Sequence, residues 1–147
     1  MSAPSGDAAL RRAAANLELV RGQMEALARQ AETLQAALED MLRARETLQR
    51  TKDAGVGSEL LLPIGANSFV VGSLKDAETV IVGVGSDVAI ELTFPAAIGR
   101  LNARAKMIED AERGLAERMA QLEAQAEAHS RRVQELYDAT QQAAPPG

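Results

Sequence analysis

The chain has 147 residues, no cysteine, one histidine (His129) and a net charge of −5 at neutral pH. That inventory excludes disulfides, zinc–thiolate sites and thiol nucleophiles, and argues against a His-pair metal site or a histidine-based catalytic triad. The acidic balance argues against nucleic acid as a partner. With two Phe, one Tyr and no Trp, and an apolar fraction of 46% that leans on Ala, a compact core lacks large anchors. Such a composition points to long helices or a coiled coil. No apolar run approaches the roughly 18 residues of a membrane span, and MSAPSGDAAL lacks the basic start and apolar stretch of a secretory signal. The expectation is a soluble, cytoplasmic protein without membrane contact.

In chain order, residues 1–7 show no apolar pattern and are expected to be disordered. A first coiled-coil helix is predicted over 8–53. Its seam reads Leu10, Ala13, Leu17, Val20, Met24, Leu27, Ala31, Leu34, Leu38, Met41, Arg45 and Leu48. Alternating steps of three and four, held over about five heptads, mark a coiled-coil seam. Glu25–Arg29, Glu39–Arg43 and Glu46–Arg50 are (i, i+4) pairs in the favourable order on the outer face, each worth about 0.2–0.5 kcal/mol. Gly55 and Gly57 can end this helix.

Residues 58–94 change character, being rich in Val, Ile and Leu and broken by Gly, Asn and Asp. Val80, Val82 and Val84 alternate with other residues, as do Val88, Ile90, Leu92 and Phe94, which is strand periodicity. Turn residues at 65–68 and 85–87 predict two hairpins, 59–64 with 68–74 and 79–84 with 87–94. "PIGANSFVV" and "GVGSDVAIEL" echo one another weakly. Isolated hairpins are marginal in water, so these strands are expected to pair with other subunits through Leu61, Ile64, Phe69, Val71, Val80, Val82, Ile90 and Leu92.

A second coiled-coil helix is predicted over 95–140, with Thr93 or Phe94 at its start and Pro95 in its first turn. Its seam is Ile98, Leu101, Ala105, Ile108, Glu112, Leu115, Met119, Leu122, Ala126, His129, Val133 and Leu136. Residues 141–147 are expected to be disordered. Arms of equal length around a compact insert imply an antiparallel, intramolecular coil, each helix roughly 60–70 Å long at 1.5 Å per residue. The fold class is thus mainly α with a small β region.

The segment "LPIGANSFVVGSL" followed by "VIVGVGSDVAIE", set between two coiled coils of equal length, resembles the alpha class of prefoldin subunits. The resemblance covers about residues 8 to 140, and two hairpins rather than one point to the alpha class. It implies a hexamer of two alpha and four beta subunits, built on β-barrels from which coiled coils hang. It further implies ATP-independent capture of unfolded client proteins and their delivery to a group II chaperonin. No catalytic residue and no cofactor come with it. The alternative is a coiled-coil scaffold or adaptor that binds a folded partner; an enzyme is the weakest class, since no nucleophile, base and pocket come together.

Single residues fit this reading. His129 stands at a seam position with no second ligand beside it, so a packing role is preferred to a metal site. Arg45 and Glu112 interrupt the seam, but Arg45 is placed opposite about residue 103, so each should reach toward solvent rather than toward the other. "GANS" and "GVGS" lack the Gly-Lys-Ser/Thr of a phosphate loop and read as strand turns. Client contact is expected at the free end of the coil, where a poorly filled seam would let Leu10, Leu17, Val20, Val133, Leu136 and Tyr137 be exposed.

Overall fold

A computed structural model of the chain describes residues 5–143. The chain divides into two compact units, Met1–Gln35 with Asp110–Gly147, and Ala36–Glu109. Helix α1 spans Gly6–Ala54, strands β1 to β4 follow at Glu59–Gly65, Ser68–Ser73, Thr79–Gly85 and Val88–Thr93, and helix α2 spans Phe94–Ala143.

The helix ends follow from local chemistry. Ser5 Oγ accepts a hydrogen bond from the Ala8 N–H at 3.3 Å, which caps α1 and starts it at Gly6 rather than at residue 8. Asp7 lies in the first turn, where a negative charge opposes the helix dipole, and pairs with Arg11 at 2.9 Å. At the other end the Gly55 N–H donates to the Thr51 carbonyl at 3.1 Å with Gly55 at φ 79°, a left-handed stop that favours glycine. Thr93 Oγ1 accepts from the Ala96 N–H at 3.2 Å and caps α2. Residues 6–7 and 141–143 are therefore helical where disorder was expected; the remaining terminal residues, 1–4 and 144–147, lie outside those described.

In the first unit α1 and α2 run antiparallel. Gly6 lies beside Thr140, and Ala13 and Asn16 line a groove with His129 and Arg132. The core here is Ala13, Leu17, Val20 and Leu122, the last only 1% exposed. In the second unit Leu38, Phe94, Ala97, Leu101 and Ala105 are buried. Ala97 is fully enclosed, so its small side chain marks a close approach. Arg45 keeps its expected exposure, and its guanidinium donates to Asn102 Oδ1 at 3.0 Å, one residue from the position expected opposite it. Of the three expected surface pairs, Glu46–Arg50 closes at 2.7 Å, whereas Glu25 and Arg29 form no ion pair with each other among the described residues.

The two hairpins are separate two-stranded antiparallel sheets, β1 with β2 and β3 with β4. The weak echo in the sequence is a repeated turn. Ala66 and Asn67 at one tip, and Ser86 and Asp87 at the other, all have positive φ between 49° and 58°, each pair preceded by a glycine near 101–102°. Two central residues in the left-handed region make the primed turn whose twist suits a hairpin. In both hairpins the register slips just before that glycine, between Pro63 and Gly65 and between Gly83 and Gly85. Hairpin one is tied to the helix exit by hydrogen bonds from the Gly57 N–H to the Leu74 carbonyl (2.7 Å) and from the Leu74 N–H to the Ser58 carbonyl (2.9 Å).

Between the hairpins, Asp76 accepts from the Glu78 N–H at 2.7 Å and from the Thr79 hydroxyl at 2.5 Å. The Thr79 bond first, then the backbone, holds its carboxyl below the ordinary carboxylate range. A depressed folded-state pKa means that this turn is supported above the unfolded value and loses that support as pH falls through the folded one. The protection of the Glu78 amide, taken relative to its intrinsic exchange rate, is expected to fall in acid below about pH 4, and Asp76→Ala is expected to remove that pH dependence of protection. Within the helical core, Leu122→Ala is expected to cost about 2–5 kcal/mol. Leu19→Ala, at an exposed site, should stay within about 0.5 kcal/mol. Thermal unfolding followed by circular dichroism compares the two.

Candidate interaction surfaces

In an antiparallel pair, directly opposed residues share a face, so the registers assign both faces of each hairpin. In hairpin one, Leu61 opposes Val71 and Pro63 opposes Phe69 on one face, while Leu60 opposes Gly72 and Leu62 opposes Val70 on the other. Both faces are apolar, and every residue from Leu61 to Val71 is exposed, Leu61 at 62% and Phe69 at 56%. A monomeric protein rarely leaves so much contiguous apolar surface in water.

Hairpin two differs. Val80 opposes Leu92 and Val82 opposes Ile90 on one face, and Val80, Val82 and Leu92 are half-buried. A groove of about 480 Å³ runs between β3 and the helices, lined by Val80 and Val82 with Met41, Ala44, Leu48 and Leu101. The opposite face carries Ile81, exposed at 72%, opposed by Glu91, and Gly83 opposed by Ala89. No Lys or Arg occurs in any of the four strands, whose only charges are Glu59 and Glu91, so the edges lack the lysines that commonly discourage further strand pairing.

Of the eight hairpin residues expected to be shared with other subunits, Leu61, Ile64, Phe69 and Val71 are the most open. Val80, Val82 and Leu92 are partly covered by their own chain, and Ile90 is 37% exposed. Leu62, Val70, Ile81 and Val88 are also exposed and were not singled out by sequence. Alternation alone marks one face of a strand as important, and a hairpin apolar on both faces defeats that rule.

At the terminal end of the helical pair, the expected loose seam is corrected. Leu17 and Val20 are buried, as is Ala13. Ser5 caps the first turn, and small alanines let the helices close around the larger side chains, so fraying does not empty this seam. Leu10, Val133 and Leu136 are half-buried. Tyr137 is 50% exposed, and Leu19, outside the seam and without periodic signal, is exposed as well.

His129 is half-buried and lines a groove of about 220 Å³ with Ala9, Arg12, Ala13, Asn16, Arg132 and Leu136. Among the described residues, no group of three or more His, Cys, Asp or Glu is placed to hold a metal, and no helix is long and apolar enough to cross a membrane.

This architecture has known counterparts. The Prefoldin family model, for prefoldin subunits, matches residues 20–139. The prefoldin alpha subunit of Pyrococcus horikoshii is 33% identical over 128 residues, covering 86% of each chain. That of Thermococcus onnurineus is 37% identical over 98 residues, covering 66% of this chain and 67% of its own. In fold, the chain matches one from the cryo-EM structure of filamentous PFD from Methanocaldococcus jannaschii, with a TM-score of 0.69 and 24% identity, covering 77% of this chain and 93% of that one. With two long helices joined through two hairpins, and with relatives of that kind along most of its length, the chain belongs to the prefoldin family, in its alpha class.

Proposed function

We propose that the chain is a subunit of an ATP-independent cytoplasmic chaperone. Its hairpins join it to beta-class partners, two alpha with four beta, and the ends of its coil hold non-native proteins for transfer to a group II chaperonin. The observation that carries the assembly half is hairpin one, apolar on both faces and exposed on both from Leu61 to Val71. Neighbouring strands can bury one face and extend its ladder at the same time, which removes two liabilities together. Leu61, Ile64, Phe69 and Val71 lead this contact, with Ile90 beside them, while Val80, Val82 and Leu92 seat hairpin two on its own helices.

For the holding half, Tyr137 and Leu19 offer exposed apolar surface, and Leu10, Val133 and Leu136 are half-covered side chains that a client can complete. Leu17 and Val20 keep the seam closed behind them. Many weak apolar contacts suit clients with no common sequence. The family gives no reason to require nucleotide or metal, and the holding mechanism uses neither.

A second reading is a scaffold or adaptor that binds a folded partner. The closed seam at Leu17 and Val20 favours it, because a well-packed coil presents a fixed surface.

Assembly is tested by Phe69→Lys with Val71→Lys. Both side chains are exposed in the chain alone, so its own fold should survive, while an interface that buries two lysines loses several kcal/mol. Native mass spectrometry with a co-expressed beta-type subunit is expected to show dissociation with helical circular dichroism retained; an intact complex would remove the proposed role of hairpin one. Holding is tested by deleting residues 1–10 with 136–147, which spares Leu17, Val20 and the strands. The truncated complex is expected to keep its stoichiometry and to lose most suppression of client aggregation, followed by light scattering without nucleotide. Undiminished protection of several unrelated unfolded clients would place binding elsewhere. Failure of the full-length complex to protect any of them would favour the adaptor reading.

A further inference from the structure

We infer that the groove around His129 is a docking site for an acidic, apolar segment of an unfolded polypeptide. This rests on the holding reading and gives it a charge preference.

The floor of the groove is apolar, formed by Ala9, Ala13 and Leu136, and its polar side chains are Arg12, Arg132, His129 and Asn16. It is lined by no carboxylate, in a chain where 21 Asp and Glu outnumber 16 Lys and Arg. The groove around Arg45 includes Glu39 and Glu46, and the one beside β3 includes Asp40. The basic lining is therefore local and runs against the overall charge of the chain.

Arg12 is the central feature. Its neighbours one helical turn away are Ala8, Ala9, Ala15 and Asn16, so no acid of its own helix lies within (i, i+3) or (i, i+4) reach. It has no ion pair among the described residues, whereas the adjacent Arg11 is taken by Asp7. Across the groove, Arg132 pairs with Glu135 at 3.6 Å. Both side chains are well exposed, and such a pair contributes about 0–1 kcal/mol, so an incoming carboxylate can compete for the guanidinium. Two arginines around a small apolar floor match a carboxylate flanked by an aliphatic side chain, since guanidinium favours bidentate contact with carboxylate. A volume of about 220 Å³ admits one or two side chains. That suits an extended segment, which can present one residue at a time, better than a broad folded surface.

The test uses the full-length assembled protein and labelled unstructured peptides that alternate Glu with Leu, Gln with Leu, or Lys with Leu, followed by fluorescence anisotropy. The Glu peptide is expected to bind tightest, with affinity falling as salt rises. Arg12→Gln with Arg132→Gln is expected to weaken the Glu peptide roughly tenfold, equivalent to about 1.4 kcal/mol, and to leave the Gln peptide unchanged. Arg131→Gln, one residue away and outside the groove lining, should change neither. Equal affinity of the unaltered protein for Glu and Gln peptides would overturn the proposal. So would an undiminished Glu affinity in the double variant, or binding of a folded acidic protein but of no unstructured peptide. Aggregation assays run in parallel separate the two readings: protection of basic but not acidic clients by the double variant supports the groove, whereas absence of protection by the unaltered protein removes the holding reading and leaves the peptide titration to judge the groove.

Discussion

A two-stranded hairpin in water can neither satisfy its outer edges nor cover both of its faces. The β-ladders here run only within each hairpin, so every strand keeps one unpaired edge, and hairpin one adds apolar side chains on both sides. Isolated hairpins are marginal, and these carry no strand lysine or arginine to discourage further pairing. Their persistence is therefore linked to whatever covers them, and that coupling stabilises the folded chain by mass action. Local devices hold the hairpins in shape: the left-handed turns, the Gly57–Leu74 clamp and the Asp76 turn each fix backbone from within the chain.

The helices have no such need. Backbone hydrogen bonds within a helix are internal, and only the ends require partners. Ser5 and Thr93 supply them at the N-termini, and Gly55 closes the C-terminus of α1. Side-chain burial is then modest: Ala13 permits close approach around Leu17, Val20 and Leu122 in one unit, and Ala97 and Ala105 do so around Leu38 and Leu101 in the other. Arg45 shows how a seam tolerates a charge. Its aliphatic stem can cover apolar surface, while the guanidinium finds the Asn102 side chain, a neutral partner that leaves the cation solvated.

Much of this was legible in the residues because heptad spacing and strand alternation are backbone periodicities. The seam positions, the two hairpins and both turns follow directly from them. The misses lie where side-chain chemistry overrides periodicity. Disorder was expected at residues 6–7 because they lack apolar pattern, yet a single serine cap is enough to extend α1 to them. The seam near Leu17 was expected to be poorly filled. Small residues instead draw the helices together and bury their larger neighbours. The basic groove was invisible as a set, since Arg12 and Arg132 come from opposite ends of the chain. Their meeting depends on antiparallel pairing and on register, and no local pattern encodes it.

The hairpins add a last point about what repetition does and does not determine. Their turns are near copies, down to the glycine, the two left-handed residues and the slipped register. Their burial is copied only in part: β2 and β4 share one half-buried position, at Gly72 and Leu92, and Leu60 matches Val80. Val80, Val82 and Leu92 are half-covered, and a groove joins β3 to the helices, whereas in hairpin one Leu60 and Gly72 are half-covered but Leu62, the counterpart of Val82, is exposed. Backbone geometry sets the turn, but side chains decide which face finds cover within the chain. Leu61, Leu62, Phe69 and Val70 are too large and too numerous to hide on one side of a two-stranded sheet. In hairpin two, Gly83 and Ala89 thin out one face and leave the valines to concentrate on the other. One backbone plan thus yields two unlike surfaces, the first needing cover on both faces and the second on one face and its edges. A chain built this way can meet two different neighbours without a second fold.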